Sequence, residues 1–278
     1  MNKQSSGWTT KLLQAAGRLL SVSRKECLSC KQQADLDSKQ LGLCNTCYQT
    51  IPWITEVLCP ICGRYEACQD CLRRKDTFFT RSRSSVKYDD TMKELLARYK
   101  YRGDERLGAL MGAMLKRAFD LQQAGEDDSP VGSVGRIITY VPVSERRMLE
   151  RGFNQAEQMA RVLGNSVKLP VVPLLRRVKH TDKQSFKKRS ERLDDLEHVF
   201  QIDEEGLLQA GDLLKTCAAA HIYVTDDVYT TGSTMNQCAK VLQDRINGVI
   251  GIGGFGEIGG SSGSGGFGGS IVGLTWAR

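Results

Sequence analysis

Apolar residues recur along the chain with two different periods, one typical of helices and one typical of buried strands. Between Tyr88 and Gly103 they recur every three or four residues, and a second stripe of the same period follows the break at Gly103 and Asp104. This period predicts two helices whose apolar faces lie in the core. The stripes consist of Met92, Leu95, Leu96 and Tyr99, and then of Leu107, Leu110, Met111, Met114 and Ala118.

Two continuous apolar runs, at 137–143 and 222–224, have no helical period and are rich in β-branched residues. They predict buried strands of a parallel sheet. A helix pattern follows each run: one begins near Asn154 and is expected to end at Gly164, and the other begins at Met235. Because a strand, a loop and a helix follow each other twice, we expect an α/β fold whose ligands bind at the carboxyl ends of the strands.

The second strand leads directly into two carboxylates and a turn of small residues. Asp226 and Asp227 follow the apolar run, and the turn then opens a helix. Main-chain N–H groups at a helix N-terminus favour a phosphate, while the carboxylates suit sugar hydroxyls or hydrated Mg²⁺. An acid pair that only makes a bend would not explain this turn, and no Gly-Lys-Ser/Thr of a P-loop ends it. The turn consists of Thr230, Thr231, Gly232, Ser233 and Thr234.

An arginine-rich segment follows the first strand. It runs from Arg146 to Gln155 and holds three arginines around Gly152. Each guanidinium offers paired planar donors, so arginines at the carboxyl end of a strand suit a diphosphate. A solvated charged face is the alternative, and the strand, loop and helix context favours an anion site.

Eight of the ten cysteines form four Cys-x-x-Cys pairs near the start of the chain. Their clustering favours structural zinc in a reducing compartment over disulfides, because each pair lies on a turn that directs two thiolates at one tetrahedral ion. One or two zinc ions fit, and the pairs could combine sequentially or interleaved; a redox role for a single pair is the alternative. The pairs are Cys27 and Cys30, Cys44 and Cys47, Cys59 and Cys62, and Cys68 and Cys71.

The chain of 278 residues is basic, with a net charge of +7, which favours polyanionic partners. Residues 1–75 have eleven basic and six acidic residues, and two four-thiolate zinc centres would bring them to about +1, so this part does not predict an electrostatic clamp for DNA. The most basic run, Arg176 to Arg192, has eight basic and two acidic residues. Such a run is a solvated surface, a loop that closes over a phosphorylated ligand, or a track for a nucleic-acid backbone.

Three further stretches bear on location and flexibility. No apolar run is long enough to span a membrane and the N-terminal residues lack a secretory signal, so we expect a cytoplasmic protein without stable membrane insertion. An amphipathic stretch at 8–20 predicts a helix that packs on the neighbouring module or lies on a membrane surface. Residues 248–273 contain 13 glycines and predict a flexible segment.

Together these motifs resemble the ComF family of phosphoribosyltransferase-like proteins, with its ComFC-like and GntX-like branches. The resemblance implies a type I phosphoribosyltransferase fold, in which a parallel sheet flanked by helices, with a small hood, occupies 81–278 and follows a zinc ribbon module at 1–80. It rests on the Cys-x-x-Cys module, Val-Pro-Val-Ser with Arg146 and Arg147, the spacing from Gln184 to Arg192 and Phe200, the stretch from Val224 to Thr234, and the terminal Leu-Thr-Trp-Ala-Arg.

The resemblance also implies a binding site for 5-phosphoribosyl 1-diphosphate (PRPP) with Mg²⁺. Asp226 and Asp227 would contact the ribose hydroxyls as the catalytic pair, and the turn from Thr230 to Thr234 would bind the 5-phosphate. The diphosphate would lie against the loop that contains Val143, Ser144, Arg146 and Arg147. The basic run would be the mobile hood loop or a DNA contact, through Lys183, Lys187, Lys188, Arg189 and Arg192.

The biological setting that the resemblance implies is uptake of single-stranded DNA during natural transformation, with a ComFA-like helicase as partner, in the cytoplasm at the periphery of the membrane-bound uptake machinery. Two functions compete: a PRPP-binding competence factor that also binds single-stranded DNA, and an active phosphoribosyltransferase that transfers ribose 5-phosphate to an unknown acceptor. The sequence identifies no pocket for that acceptor and leaves catalysis undecided. Lys187, Asp195 and the glycine-rich segment depart from the family pattern.

Overall fold

The computed structural model describes residues 25–123, 134–178, 199–217, 219–249 and 269–278. The amphipathic stretch at 8–20 lies outside these ranges, as do most of the basic run and of the glycine-rich segment. The chain divides into two compact units between Ile51 and Pro52. The boundary that we expected near residue 80 falls inside the second unit, because Cys59, Cys62 and Phe79 are buried in that unit's hydrophobic core.

The first unit is a small cysteine-rich module. Its short strands β1 (Lys25–Glu26) and β2 (Gln33–Ala34) pair antiparallel, and helix α1 (Asn45–Gln49) follows a 3₁₀ turn. The N–H of Lys31 donates to the carbonyl oxygen of Cys27 over 2.9 Å, which closes the turn that carries the first cysteine pair. Among its described residues, Cys27, Leu43 and Ile51 are buried.

The second unit is an α/β domain. In chain order, its elements are α2 (Gln69–Arg73), β3 (Arg81–Val86), α3 (Asp90–Tyr101), α4 (Arg106–Gln123), β4 (Val134–Tyr140), α5 (Glu145–Arg151), α6 (Gln155–Val167), β5 (Leu175–Arg177), β6 (Phe200–Ile202), α7 (Glu204–Leu214), β7 (Ala219–Val228), α8 (Ser233–Val249) and β8 (Gly269–Ala277).

A parallel sheet forms the centre of this domain, in the strand order β3-β8-β7-β4. The last strand, β8, lies between β3 and β7, and its residues 271–277 are all buried. The register pairs Tyr140 of β4 with Thr225 of β7, and Asp226 with Thr275 of β8. The carboxyl ends of these three strands therefore lie at the same edge, and the predicted α/β fold with a flanked parallel sheet is confirmed.

Both predicted core helices are present as α3 and α4, and every residue of the two apolar stripes is buried. Helix α6 begins where predicted, because the Asn154 side chain accepts the N–H groups of Ala156 and Glu157. Its predicted end at Gly164 is wrong: the helix continues to Val167. Gly164 is a packing position instead, since a Cβ there would lie 2.5 Å from a methyl group of Val171.

We did not predict β3, α5, the antiparallel pair β5 and β6, or α7 from the sequence, although Leu207, Ala210 and Leu214 of α7 form a short apolar stripe. Strand β3 reads Arg-Ser-Arg-Ser-Ser-Val, yet it is almost entirely buried. Its Ser84 hydroxyl is hydrogen-bonded to that of Thr275 at 2.6 Å, which satisfies both polar groups in the core. The predicted flexible segment reached residue 273, whereas its last five residues lie in β8. A Cβ at Gly273 would meet the Ser82 Oγ at 2.6 Å, so close strand packing requires this glycine.

Candidate functional site

The acid pair lies at the carboxyl end of β7, as predicted. The main-chain N–H of Asp227 donates to the Oδ1 of Asp226 over 2.8 Å. Lys100, near the end of α3, forms an ion pair with Asp227, and their side chains are only 15% and 19% exposed. Because both partners are largely removed from water, this pair is held more firmly than a surface ion pair. No sequence motif marked Lys100 as a site residue.

The two carboxylates have different electrostatic environments. Burial and the neighbouring charge of Asp227 raise the pKa of Asp226 to about 7, although the N–H of Asp227 and the charges of Lys100 and Arg147 oppose this. Near neutral pH the Asp226 carboxyl therefore exchanges a proton readily, and a cation at the pair would favour its charged form.

The turn after β7 leads into α8. Gly232 has a φ of 80°, and a Cβ there would lie 2.1 Å from the Tyr229 hydroxyl. The hydroxyls of Thr231 and Ser233 are 2.9 Å apart, and the N–H of Asn236 donates to the carbonyl oxygen of Gly232 over 2.9 Å. A small pocket at this point is lined by Asp226 of the acid pair, by three turn residues and by their neighbours. The lining residues are Asp226, Val228, Tyr229, Thr230, Gly232, Thr234, Met235 and Thr275.

The arginine loop follows β4 at the same edge of the sheet. Val143 and Ser144 are partly buried, and the Ser144 hydroxyl accepts the N–H of Arg147 over 3.4 Å at the start of α5. Arg146 and Arg147 differ in their surroundings. Arg146 pairs with Glu150 over 2.7 Å, whereas the charge of Arg147 acts on Asp226.

Arg177 is a further cation near this site. Desolvation and the charge of Arg147 lower its pKa, and the charge of Asp226 raises it. The sequence assigned Arg177 only to the start of the basic run. A cleft of about 590 Å³ separates its strand from α5 and is lined by Ser144, Glu145, Arg146, Leu149, Glu150, Arg177 and Val178. The predicted hood-loop or DNA-binding residues Lys183, Lys187, Lys188, Arg189 and Arg192 lie outside the described residues.

The cysteines form two groups of four, which pair sequentially and not interleaved. In each group the four sulfur atoms lie within 4.8 Å of one another. A tetrahedral Zn²⁺ with Zn–S bonds of about 2.3 Å separates its sulfurs by roughly 3.8 Å. The distances from Cys30 to Cys44 (3.8 Å) and from Cys62 to Cys68 (3.4 Å) fit this geometry. The groups are Cys27, Cys30, Cys44 and Cys47, and Cys59, Cys62, Cys68 and Cys71.

Hydrogen bonds to sulfur support the same assignment. The N–H of Cys44 donates to the Cys27 sulfur over 3.2 Å, and the N–H of Cys71 donates to the Cys68 sulfur over 3.5 Å. All eight thiols are free of disulfides. Both groups thus have the donors and spacing for a structural zinc ion. In the described part of the chain, no helix is both long and apolar enough to cross a membrane.

Three curated proteins are similar to this chain over most of its length. The competence protein ComFC of Bacillus subtilis is 30% identical over 237 residues, which cover 79% of this chain and 89% of that protein. ComFC of Streptococcus pneumoniae is 30% identical over 73% of this chain and 81% of its own. The competence protein F of Haemophilus influenzae is 25% identical over 78% and 90%. No protein-family model matches the chain.

Proposed function

The chain belongs to the ComF family of competence proteins, and from this premise we propose that it binds PRPP with Mg²⁺ and handles single-stranded DNA during natural transformation. The names of the relatives support the role in competence. The finer assignment, to PRPP, rests on the site at the carboxyl edge of the sheet.

One observation carries the PRPP proposal: an acid pair, a small-residue turn and an arginine loop meet at one edge of a parallel sheet. The turn opens the 17-residue helix α8, whose first N–H groups suit the 5-phosphate. Asp226 and Asp227 would accept hydrogen bonds from the ribose hydroxyls. The loop from Val143 to Arg147 would bind the diphosphate together with Mg²⁺, and Arg147 is the cation there that acts on Asp226.

The DNA proposal rests on the basic run, which begins in β5 and precedes β6 in the chain. Its eight basic residues would bind the phosphate backbone without sequence preference, since Phe186 is its one aromatic residue for base stacking. A ComFA-like helicase is the proposed protein partner, and the cysteine-rich module is the proposed docking element. With these partners the protein would act in the cytoplasm, beside the membrane-bound uptake machinery.

An active phosphoribosyltransferase is the second candidate function, and the cleft beside α5 favours it. The cleft borders the diphosphate loop and, at about 590 Å³, has room for an acceptor. In this reaction the bond from C1 of the ribose to the diphosphate oxygen breaks, and the diphosphate leaves with the electron pair. The acceptor then forms the new bond at C1 and releases a proton, which Asp226 is suited to receive because its pKa is about 7.

Calorimetric titration of PRPP with Mg²⁺ tests the site. We expect saturable binding to the wild type and none to the Asp226→Ala, Asp227→Ala double variant. The matched control is the double variant Asp120→Ala, Asp212→Ala, which removes two carboxylates that pair with exposed lysines. No binding to a folded, zinc-loaded wild type would refute the PRPP proposal. Diphosphate release on addition of an acceptor would identify an enzyme.

A filter-binding assay with single-stranded DNA at several salt concentrations tests the second part. Neutralising the five basic residues Lys183, Lys187, Lys188, Arg189 and Arg192 should weaken DNA binding. It should also make the slope of log K against log salt concentration shallower, by up to about 0.7 per lost phosphate contact. Unchanged DNA affinity in this variant would refute the role of the basic run, whatever the result with PRPP.

A further inference from the structure

The turn that opens α8 is tied to the second cysteine group. The residues that follow this group, 74–79, are called the strap here. Arg74 donates from its guanidinium to the carbonyl oxygen of Thr231, and both of its terminal nitrogens lie 3.4 Å from the Tyr229 hydroxyl. Asn236, in the first turn of α8, accepts the N–H of Phe78 over 2.9 Å and donates to the carbonyl oxygen of Asp76 over 3.1 Å.

A second connection reaches the turn from the cysteine group itself. Arg278 donates to the carbonyl oxygen of Cys62 over 3.1 Å, and its guanidinium lies 4.3 Å from the centre of the Tyr229 ring. The other contact of that ring is edge-on with Phe79, at 6.4 Å between ring centres. Cys62, Phe79 and Tyr229 belong to one buried core cluster. Tyr229, the residue directly before the turn, is thus held between the metal-binding group and the strap.

The turn itself has little to fix its conformation. Thr230 and Thr231 are exposed, and the turn contains no large apolar side chain that could anchor it in the core. A site that binds an anion through main-chain N–H groups requires these groups to converge within about 0.5 Å of the right geometry. Arg74 supplies part of this order because its guanidinium donates to the carbonyl oxygen of Thr231 and also contacts the Tyr229 hydroxyl.

The strap in turn depends on the cysteines. Helix α2, which carries Cys71 and leads into Arg74, has only five residues. A helix of this length is not stable on its own in water. Small segments of this kind are ordered by a structural metal ion, whose binding free energy becomes folding free energy.

We propose that Arg74 is a positioning residue of the phosphate-binding turn, and that metal binding at Cys59, Cys62, Cys68 and Cys71 is what holds it in place. The second metal site is then a determinant of ligand binding, and the first, in the other compact unit, is not. The ligand in this proposal is the phosphate end of PRPP, so this part of it rests on the proposed function.

Cysteine variants in the two groups provide matched tests. The Cys68→Ser, Cys71→Ser variant should contain one zinc fewer per chain by elemental analysis and bind PRPP with Mg²⁺ at least about tenfold more weakly. The Cys44→Ser, Cys47→Ser variant should also lose one zinc, yet its affinity should stay within about twofold of the wild type. Equal affinities of the two variants would overturn the proposal.

Arg74 variants separate positioning from metal binding. Arg74→Ala should keep the full zinc content and lose PRPP affinity by about tenfold or more. Arg74→Lys should recover part of it, since lysine can still donate to the Thr231 carbonyl but lacks the planar fork that also reaches Tyr229. Wild-type affinity in Arg74→Ala would refute the positioning role even if the cysteine variants fail to fold.

Hydrogen exchange makes the proposal testable without a ligand. In the ligand-free protein, amides of residues 229–236 should exchange faster in Arg74→Ala and in Cys68→Ser, Cys71→Ser than in the wild type or in Cys44→Ser, Cys47→Ser. If the wild type does not bind PRPP, the proposed function fails, and this exchange pattern still decides the structural coupling. Unchanged exchange in the first two variants would refute it.

Discussion

Replacing Asp226 by asparagine is expected to stabilise the ligand-free protein at neutral and alkaline pH. The carboxyl is partly buried beside Asp227, and burial and that neighbouring charge raise its pKa from 3.8 to about 7. Asparagine has nearly the same shape and can still accept the N–H of Asp227, which now donates over 2.8 Å. The substitution therefore removes the unfavourable charge and keeps the hydrogen bond.

The size and the pH window of the effect follow from proton linkage. Below about pH 4 the carboxyl of Asp226 is protonated in both the folded and the unfolded wild type, and the substitution changes little. Between about pH 4 and pH 7 only the folded state keeps the proton, so the wild type loses stability as the pH rises. Above about pH 7 the difference is constant. At about 1.4 kcal/mol per unit of pKa shift, the rise from 3.8 to about 7 limits the stability gained on substitution to about 4 kcal/mol. Contact of the side chain with water reduces the expected gain to about 2 kcal/mol.

Thermal unfolding of both proteins between about pH 5 and pH 8.5 measures this difference. A gain of about 2 kcal/mol corresponds to a rise in Tm of about 4 to 8 °C for a unit of this size. The control is Asp212→Asn, since that side chain is 84% exposed and pairs with Lys215 over 3.7 Å; its Tm should change by the same small amount at every pH. A gain in Asp226→Asn that is greatest at pH 5 and absent at pH 8 would refute the reasoning.

Three other outcomes are expected. In Lys100→Met the pH range over which ionisation of Asp226 lowers stability should extend to higher pH, because Lys100 lowers the pKa of that carboxyl. Thermal unfolding measured against pH would contradict this if that range moved to lower pH. Gly232→Ala should lose PRPP affinity by more than about tenfold, since a Cβ would overlap the Tyr229 hydroxyl, whereas Gly103→Ala, also at positive φ but in open space, should cost only about 1 kcal/mol of stability; titration and unfolding of both would show equal effects if the overlap were unimportant. A chelator should release two zinc ions per chain and lower the Tm, and release of a single ion would contradict two sites.

Periodic apolar patterns were sufficient to predict the helices and strands that carry them. The stripes of α3 and α4 keep the helical period throughout, the run at 222–224 in β7 is continuously apolar, and each is buried as expected. Strand β3 could not be found in this way, because its buried residues are mostly polar and its one hydroxyl with a hydrogen-bond partner, that of Ser84, is paired with a strand distant in sequence. Its Ser84 is 191 residues from Thr275, the residue it contacts.

The candidate site likewise combines residues with a local sequence pattern and residues that reach it from distant parts of the chain. Asp226, Asp227 and the turn could be predicted because they are consecutive and their order along a strand, turn and helix has a chemical meaning. Lys100 and Arg74 reach the site from α3 and from the end of the second cysteine group. Neither has a local signal, since an exposed lysine in a helix and an arginine in a basic stretch have the same sequence context.

If the site binds PRPP as proposed, the charges around the acid pair would favour a metal-chelated anion over a free one. Lys100 pairs with Asp227, while Asp226 faces the charges of Arg147 and Arg177 without a hydrogen bond to either among the described contacts. A free diphosphate would attract the arginines but bring further negative charge towards an aspartate whose ionisation is already unfavourable. A divalent cation that accompanies the diphosphate would favour the charged form of Asp226 and remove the same penalty that destabilises the ligand-free protein. If the site binds PRPP with Mg²⁺ as proposed, the bound complex would relieve the unfavourable charge of Asp226, and the destabilisation would be confined to the ligand-free protein.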